Sequence, residues 1–462
     1  MTKRIQFLSA ILGLTLIQAS CEPIPETEKG TLPGGTDTPE IPIRPSYPTG
    51  KIVSVYYPSY GRYEAAFTAS EMLQKAGPGG DYQMDEMIPS FCVIGDGKTA
   101  IGSEAFAWKK NELALDDLWA WGGFVWAGSP DGQNANIVFA NGTSLGEGSI
   151  FKALNDYPTI PYGIAIGGWP KDDNPNDPLR TGAFDRIGTN PDDLAAFVQS
   201  VSNAAEIRRF TRFPNAIHVD YEFPETPYQA DALVNICREL YLKVGNTYKI
   251  DIALSPNINH LAILDFTELN KYVDHFEIMS YDYMGSWSNI TGHHTALYSG
   301  GANMPANPSL STNFNADTEV NYLLSQGIPS TKIKIGVALY ARYWTNVTIP
   351  GTIDPSRPYF PTGNQTVPSG FPAETPGIIR YNTLMEKLNN NPTKWEIFHD
   401  PIAKADFAVN RSEGIFVTYD SKDNILEKAN YVKSNNLAGV IVWDALGAKG
   451  TTILKELNAA IK

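Results

Sequence analysis

From residue 51 onward, short apolar runs alternate with amphipathic stretches. The runs at 52–57, 87–94, 160–166, 216–222, 250–254, 275–281, 333–340 and 438–443 have the length and β-branched character of strands. Between most of them lie segments whose apolar residues recur at helical spacing, such as 192–207, 230–244, 318–326 and 422–434. Strands alternating with helices predict an α/β chain with a parallel sheet. Eight such strands over this length predict a (β/α)8 TIM barrel. A doubly wound sheet is the alternative, but it wants a Gly-rich phosphate turn after its first strand, and Pro58-Ser59-Tyr60-Gly61 is not one. Two stretches interrupt the rhythm. Residues 95–150 are rich in Gly, Asn and Trp, with a helix expected near 103–120. Residues 343–414 are rich in Pro, Thr and Asn and separate strand seven from its helix, as a small α+β insertion would.

The fourth run is the most informative. In Ile217-His218-Val219-Asp220-Tyr221-Glu222-Phe223, the alternation puts Ile217, Val219, Tyr221 and Phe223 on one strand face and His218, Asp220 and Glu222 on the other. Carboxylates on a buried strand cost several kcal/mol unless paired, and such departures from local rules concentrate at functional sites. An antiparallel strand with one wet face would give the same pattern without a function.

The chain has 462 residues and a net charge of −14, with no Lys/Arg-rich run, so nucleic acid is not an expected partner. Nine Trp and 23 Tyr are more than a core requires, and flat rings of this kind also stack on sugar faces. Of three cysteines, Cys92 and Cys237 lie in apolar contexts and read as two buried thiols or one disulfide. There is no paired His/Cys spacing of a metal site, and His293-His294 reads as a surface or structural pair. Neither metal nor cofactor is expected.

At the N-terminus, Lys3 and Arg4 precede the apolar run 5–17, too short for a mature spanning helix, and Ala19-Ser20 precede Cys21. This resembles the lipobox of bacterial lipoproteins, apart from Gln18 where an apolar residue is usual. It implies a signal segment over 1–21 with a lipidated Cys21, a flexible linker over 22–49 and a folded region over 50–462. The expected location is across the inner membrane, held to a membrane by that lipid only; a monomer is expected.

Polar residues collect at the C-terminal ends of the predicted strands, where barrel enzymes place their sites: Gly167-Gly168-Trp169, Asp220 and Glu222, Met279-Ser280-Tyr281-Asp282, Tyr340-Ala341-Arg342 and Trp443-Asp444. With these endings the chain resembles family-18 glycoside hydrolases, the chitinase family, from residue 51 to about 460. The family's fourth strand reads Asp-x-x-Asp-x-Asp-x-Glu; here it is Asn215, His218, Asp220 and Glu222. Ala165-Ile166-Gly167-Gly168 resembles Ser-x-Gly-Gly, Met279-x-Tyr281-Asp282 matches Met-x-Tyr-Asp, and Tyr340-Ala341-Arg342 resembles Tyr-Gly-Arg. Gly439–Trp443 is similar to the eighth-strand ending in Trp.

The resemblance implies retaining, substrate-assisted cleavage of β-1,4-linked N-acetylglucosamine. Glu222 would be the acid, Asp220 would orient the acetamide and Tyr281 would align its carbonyl. Trp443 would lie under the distorted sugar. Tyr56, Phe91, Gly168, Trp169, Met279, Asp282, Trp287, Tyr340 and Arg342 would contact substrate. His218 replaces an Asp and is expected to hydrogen-bond Asp220 and shift the pH optimum. Chitin or chitooligosaccharides are the expected substrate. Cleavage of the chitobiose core of N-glycans, or a non-catalytic lectin on the same barrel, remain alternatives.

Overall fold

The computed structural model describes residues 48–74, 83–98, 110–115, 149–170, 174, 176–206, 214–245, 247–300, 313–372 and 375–462. The signal segment, nearly all of the linker and most of the stretch expected as a helix near 103–120 lie outside them. Fifteen strands are described: β1 (Ile52–Pro58), β2 (Glu86–Ser90), β3 (Cys92–Ile94), β4 (Leu113–Leu115), β5 (Gly163–Gly167), β6 (Ala216–Asp220), β7 (Lys249–Leu254), β8 (His275–Ile278), β9 (Ile333–Ala338), β10 (Tyr340–Trp344), β11 (Ile378–Arg380), β12 (Glu396–Asp400), β13 (Ala405–Asn410), β14 (Ile415–Tyr419) and β15 (Gly439–Trp443).

Ten strands form one curled sheet in the order β2-β1-β15-β9-β8-β7-β6-β5-β3-β4, parallel except for β4. Each of the eight predicted runs supplies at least one of its parallel strands. β2 pairs with β1, while β3, one residue further along the chain, pairs with β5 at the other end of the order. An isolated parallel bridge also joins Met87 to Tyr162. The architecture is TIM-like, and the doubly wound alternative is not what the chain adopts.

Both faces of these strands are buried, which is why they read as nearly continuous apolar runs. The outward face packs on helices. Ile217, Val219 and Tyr221 from β6 and its end, Ile250 and Ile252 from β7, and Ile333 and Ile335 from β9 belong to one cluster with Phe197, Leu233 and Ile236 of the helices Pro191–Glu206 and Pro227–Val244. Each such side chain contributes roughly 1.5–3 kcal/mol of burial. The helix Pro227–Val244 begins where it does because Thr226 and Gln229 close a capping box ahead of Pro227. The inward positions carry Tyr56, Ile88, Ala165, Ala253, Ala338 and Ile441.

The second sheet is antiparallel, ordered β11-β10-β14-β13-β12, with the helix Tyr381–Asn390 between β11 and β12. β10 and β14 flank the 343–414 segment. Here the sequence reading needs correction: Tyr340–Arg342 does not end strand seven but opens β10, paired with β11 and β14. Within the helix expected near 103–120, the described residues Leu113–Leu115 form a strand paired with β3 instead. Cross-strand pairing overrides local helical preference there. His293 and His294 are buried rather than at the surface, because His293 Nε2 meets Asp400 Oδ2 at 3.1 Å under the second sheet. Cys92 and Cys237 are buried thiols rather than a disulfide. No helix among the described residues is long and apolar enough to cross a membrane.

Candidate active site

β6 runs parallel between β5 and β7, so the wet-face alternative for its polar residues does not hold. His218 and Asp220 point to the inner face and are buried. The strand ends at Asp220. Beyond it the alternation stops, and Phe223, expected on the helix-facing side, turns to the same side as Glu222. The peptide bonds Ser90–Phe91, Glu222–Phe223 and Trp443–Asp444 are cis.

Asp220 and Glu222 lie in a cavity of about 860 Å³ at the C-terminal ends of the parallel strands, where Tyr281 joins them. Trp443, Tyr56 and Phe91 form an aromatic base: Trp443 is 5.7 Å from Tyr56 and stacks on Phe91 at 5.8 Å, ring centre to ring centre. Met279, Asp282, Tyr340 and Arg342 also line the cavity. Trp169 and Trp287 line it too and are 57% and 62% exposed, which leaves their rings open to a ligand. Gly168 does not line the cavity. It seats Phe91: a Cβ there would fall 2.7 Å from the ring, and its φ of +85° suits only glycine.

The electrostatics divide the carboxylates. Burial pushes the Glu222 carboxyl well above the usual range, the neighbouring Asp220 and Asp282 push it further, and Arg180 opposes them. Burial likewise raises Asp220, to about 7, with Glu277 adding to it and Arg180 and His218 opposing. Asp220 Oδ1 is buried with no hydrogen-bond partner. For Asp282 burial also acts upward, but Arg342, whose Nε donates to Oδ1 at 2.7 Å, outweighs it and holds the carboxyl low. Asp282 tolerates φ +59°, a left-handed conformation that Asp adopts more readily than most residues. Arg342 in turn stacks on Trp287, 4.9 Å from the ring centre. Burial raises the Tyr281 hydroxyl well above its usual value, so it stays a neutral donor.

His218 is not where the sequence reading placed it. It does not bond Asp220. Its Nδ1 lies 3.0 Å from Glu277 Oε2 and its Nε2 3.3 Å from Glu86 Oε1, below the cavity. The reason is the inner-face register: Glu86 and Glu277 reach the same layer and outcompete a neighbour on its own strand. Sequence reasoning also missed Arg180, Ser255, Asn257 and His260, all lining the cavity. Arg180 sits at the start of the helix Thr181–Thr189, in a polar loop with no pattern to mark it. Glu86, His218 and Asp251 lie close enough to share an ion, but Lys334 Nζ occupies that space, 3.1 Å from Asp251 Oδ2. The set does not fit a metal.

A family model described as "Glycosyl hydrolases family 18" matches residues 53–447. Chitinase A of Pseudoalteromonas piscicida is 27% identical over 323 residues, covering 62% of this chain and 38% of that protein. A chitinase of Autographa californica nuclear polyhedrosis virus is 28% identical over 286 residues, 58% of this chain and 48% of its own length. The chain thus spans less than half the length of these relatives. Among solved structures, chitinase ChiA74 from Bacillus thuringiensis superposes with a TM-score of 0.71 at 18% identity, over 89% of this chain and 70% of its own. The Ostrinia furnacalis Group IV chitinase gives 0.64 at 21%, over 89% and 99%. Both share the fold.

Proposed function

The chain belongs to glycosyl hydrolase family 18, and from that premise we propose that it hydrolyses β-1,4-linked N-acetylglucosamine in chitin or chitooligosaccharides, with retention of configuration. The observation that carries this is the unequal treatment of the cavity carboxyls. Burial and the neighbouring carboxylates push Glu222 well above the usual range in a cavity lined by aromatic rings. Asp282 is neutralised by Arg342. Asp220 has a buried oxygen waiting for a donor.

In this reading Glu222 donates its proton to the leaving glycosidic oxygen, as a carboxyl raised toward the working pH is suited to do. No second carboxylate is needed as nucleophile if the substrate's acetamide oxygen attacks the anomeric carbon. Asp220 accepts the acetamide N–H and, once ionised, stabilises the cyclic cation. Tyr281 donates its O–H to the acetamide carbonyl and aligns it, an orientation effect worth several kcal/mol. Trp443 supports the sugar from beneath. We read the curled sheet as a closed (β/α)8 barrel, supported by the pairings of β2 with β1 and of β3 with β5, and β10–β14 as an insertion that deepens the cavity.

The same reading has the chain exported and anchored through Cys21, supported by Lys3, Arg4 and the apolar run at 5–17. Fatty-acid labelling abolished by Cys21→Ala tests it; labelling that persists refutes it. The function itself is tested by product analysis on chitohexaose with the chain and its Glu222→Gln variant. Cleavage giving the β-anomer, and lost in the variant, is expected. Release of glycan from a high-mannose glycoprotein alone would move the substrate to N-glycan cores, and binding without cleavage of either would leave a lectin.

A further inference from the structure

Below the aromatic base the inner face carries a second layer of charge. Glu86, His218, Asp251, Glu277 and Lys334 are all fully buried. Lys334 Nζ donates to Glu277 Oε1 at 3.0 Å, to Asp251 Oδ2 at 3.1 Å and to Ser54 Oγ at 3.1 Å. His218 bridges Glu277 and Glu86. Gly163 leaves the room for this, since a Cβ there would lie 2.3 Å from His218 Nε2. Burial acts to lower the imidazole, but the two glutamates outweigh it and raise His218 to about 10, so it is a cation. Three carboxylates therefore face two cations, Lys334 and His218; His275 also meets Asp251, from the rim of the layer. Glu277 is bonded upward as well: its Oε2 accepts the Tyr56 hydroxyl at 2.9 Å, and Tyr56 lines the cavity.

We propose that Glu277 is a positioning residue for Asp220: pinned by Tyr56, His218 and Lys334 on the inner face that Asp220 shares, its carboxylate governs when Asp220 gives up its proton. The proposal rests on the reading in which Asp220 and Glu222 carry the cleavage. The groups facing Asp220 are Glu277 on β8, His218 two residues back on β6, Arg180 at the start of Thr181–Thr189, Tyr56 on β1, Tyr281 after β8, and Glu222. Glu277 keeps the proton on, and Arg180 and His218 act to remove it. Residue 218 thus acts on Asp220 partly through the glutamate it holds in place.

The charge count makes the test practical. Glu277→Gln removes one of the three carboxylates that meet Lys334 and His218, whereas His218→Gln removes one of those two cations and keeps all three carboxylates. Asp220 is followed by carbon-13 NMR of carboxyl-labelled aspartate in the full chain, its signal assigned by loss in Asp220→Asn. Rates on chitohexaose are measured across pH alongside. In Glu277→Gln the Asp220 midpoint, and with it the acid limb of the rate profile, is expected to fall by about one pH unit. In His218→Gln it is expected to rise, and Glu277→Asp is expected to restore the parent midpoint. A folded Glu277→Gln with an unchanged Asp220 midpoint overturns the proposal. If that variant does not fold, the parent chain decides: an Asp220 midpoint below about pH 5, in the ordinary carboxylate range, also overturns it. Because the titration needs no substrate, a chain that cleaves nothing refutes the functional reading and still leaves the Glu277 test intact.

Discussion

Two layers of buried carboxylates occupy the same inner face, and their surroundings give them opposite character. In the lower layer, burial pushes Glu86 and Asp251 up, but cations outweigh it and hold both below the usual range. In the upper layer, Asp220 is buried and Glu222 half-buried, and Arg180 opposes but does not offset burial, the repulsion of Glu277 on Asp220 and that of Asp220 on Glu222. The difference lies in their partners. A charge count near balance makes the lower layer part of the scaffold. The shortfall of cations above it leaves protons on groups that then have chemistry to do, in keeping with the clustering of shifted groups at functional sites.

Removing the acid breaks the upper layer's function while sparing its stability. Glu222→Gln is expected to lower kcat by about 10²–10⁴-fold, with urea unfolding unchanged or slightly improved, because a strained carboxyl is lost; activity above a tenth of the parent would contradict this. The lower layer is expected to respond the other way. Lys334→Met strands Glu277 and Asp251 and should cost roughly 3–5 kcal/mol of unfolding free energy, measured by denaturant titration.

The pH dependence sharpens the contrast. Asp220 is raised in the folded state to about 7, so the folded chain loses stability as pH climbs from about 4, the unfolded value, through 7. Asp220→Asn should therefore match the parent near pH 4 and exceed it above pH 7. His218 is raised to about 10, so its contribution is complete below about 6.5 and is lost as pH rises through 10. His218→Gln should be less stable at pH 7, with the gap closing at strongly alkaline pH. The smallest effect is at the exposed tryptophans. Trp169→Ala or Trp287→Ala should weaken substrate binding by roughly 0.5–1.5 kcal/mol, read as a higher KM with unfolding unchanged.

Much of the fold was legible because parallel strands buried on both faces leave long apolar runs. The second sheet was less so: β10 follows β9 after one residue, and nothing local in Tyr340–Trp344 shows that its partners are β11 and β14. The cleft residues were legible where they end strands. Arg180 and His260 were not, since they come from loops. The lower layer left a trace that was not followed. Asp251, Glu277 and Lys334 each stand alone between apolar neighbours in a strand, which places a charge on the inner face. Which charge meets which is set by register between strands distant in sequence, and this is why His218 was paired with Asp220 instead of Glu277.

The most direct measurement of the central claim is an infrared difference spectrum, parent minus Glu222→Gln, recorded across pH. Glu222 is predicted to keep the carbonyl stretch of a protonated carboxyl well above the pH at which an ordinary glutamate loses it. Loss of that band by about pH 5, the behaviour of an ordinary glutamate, would contradict the account.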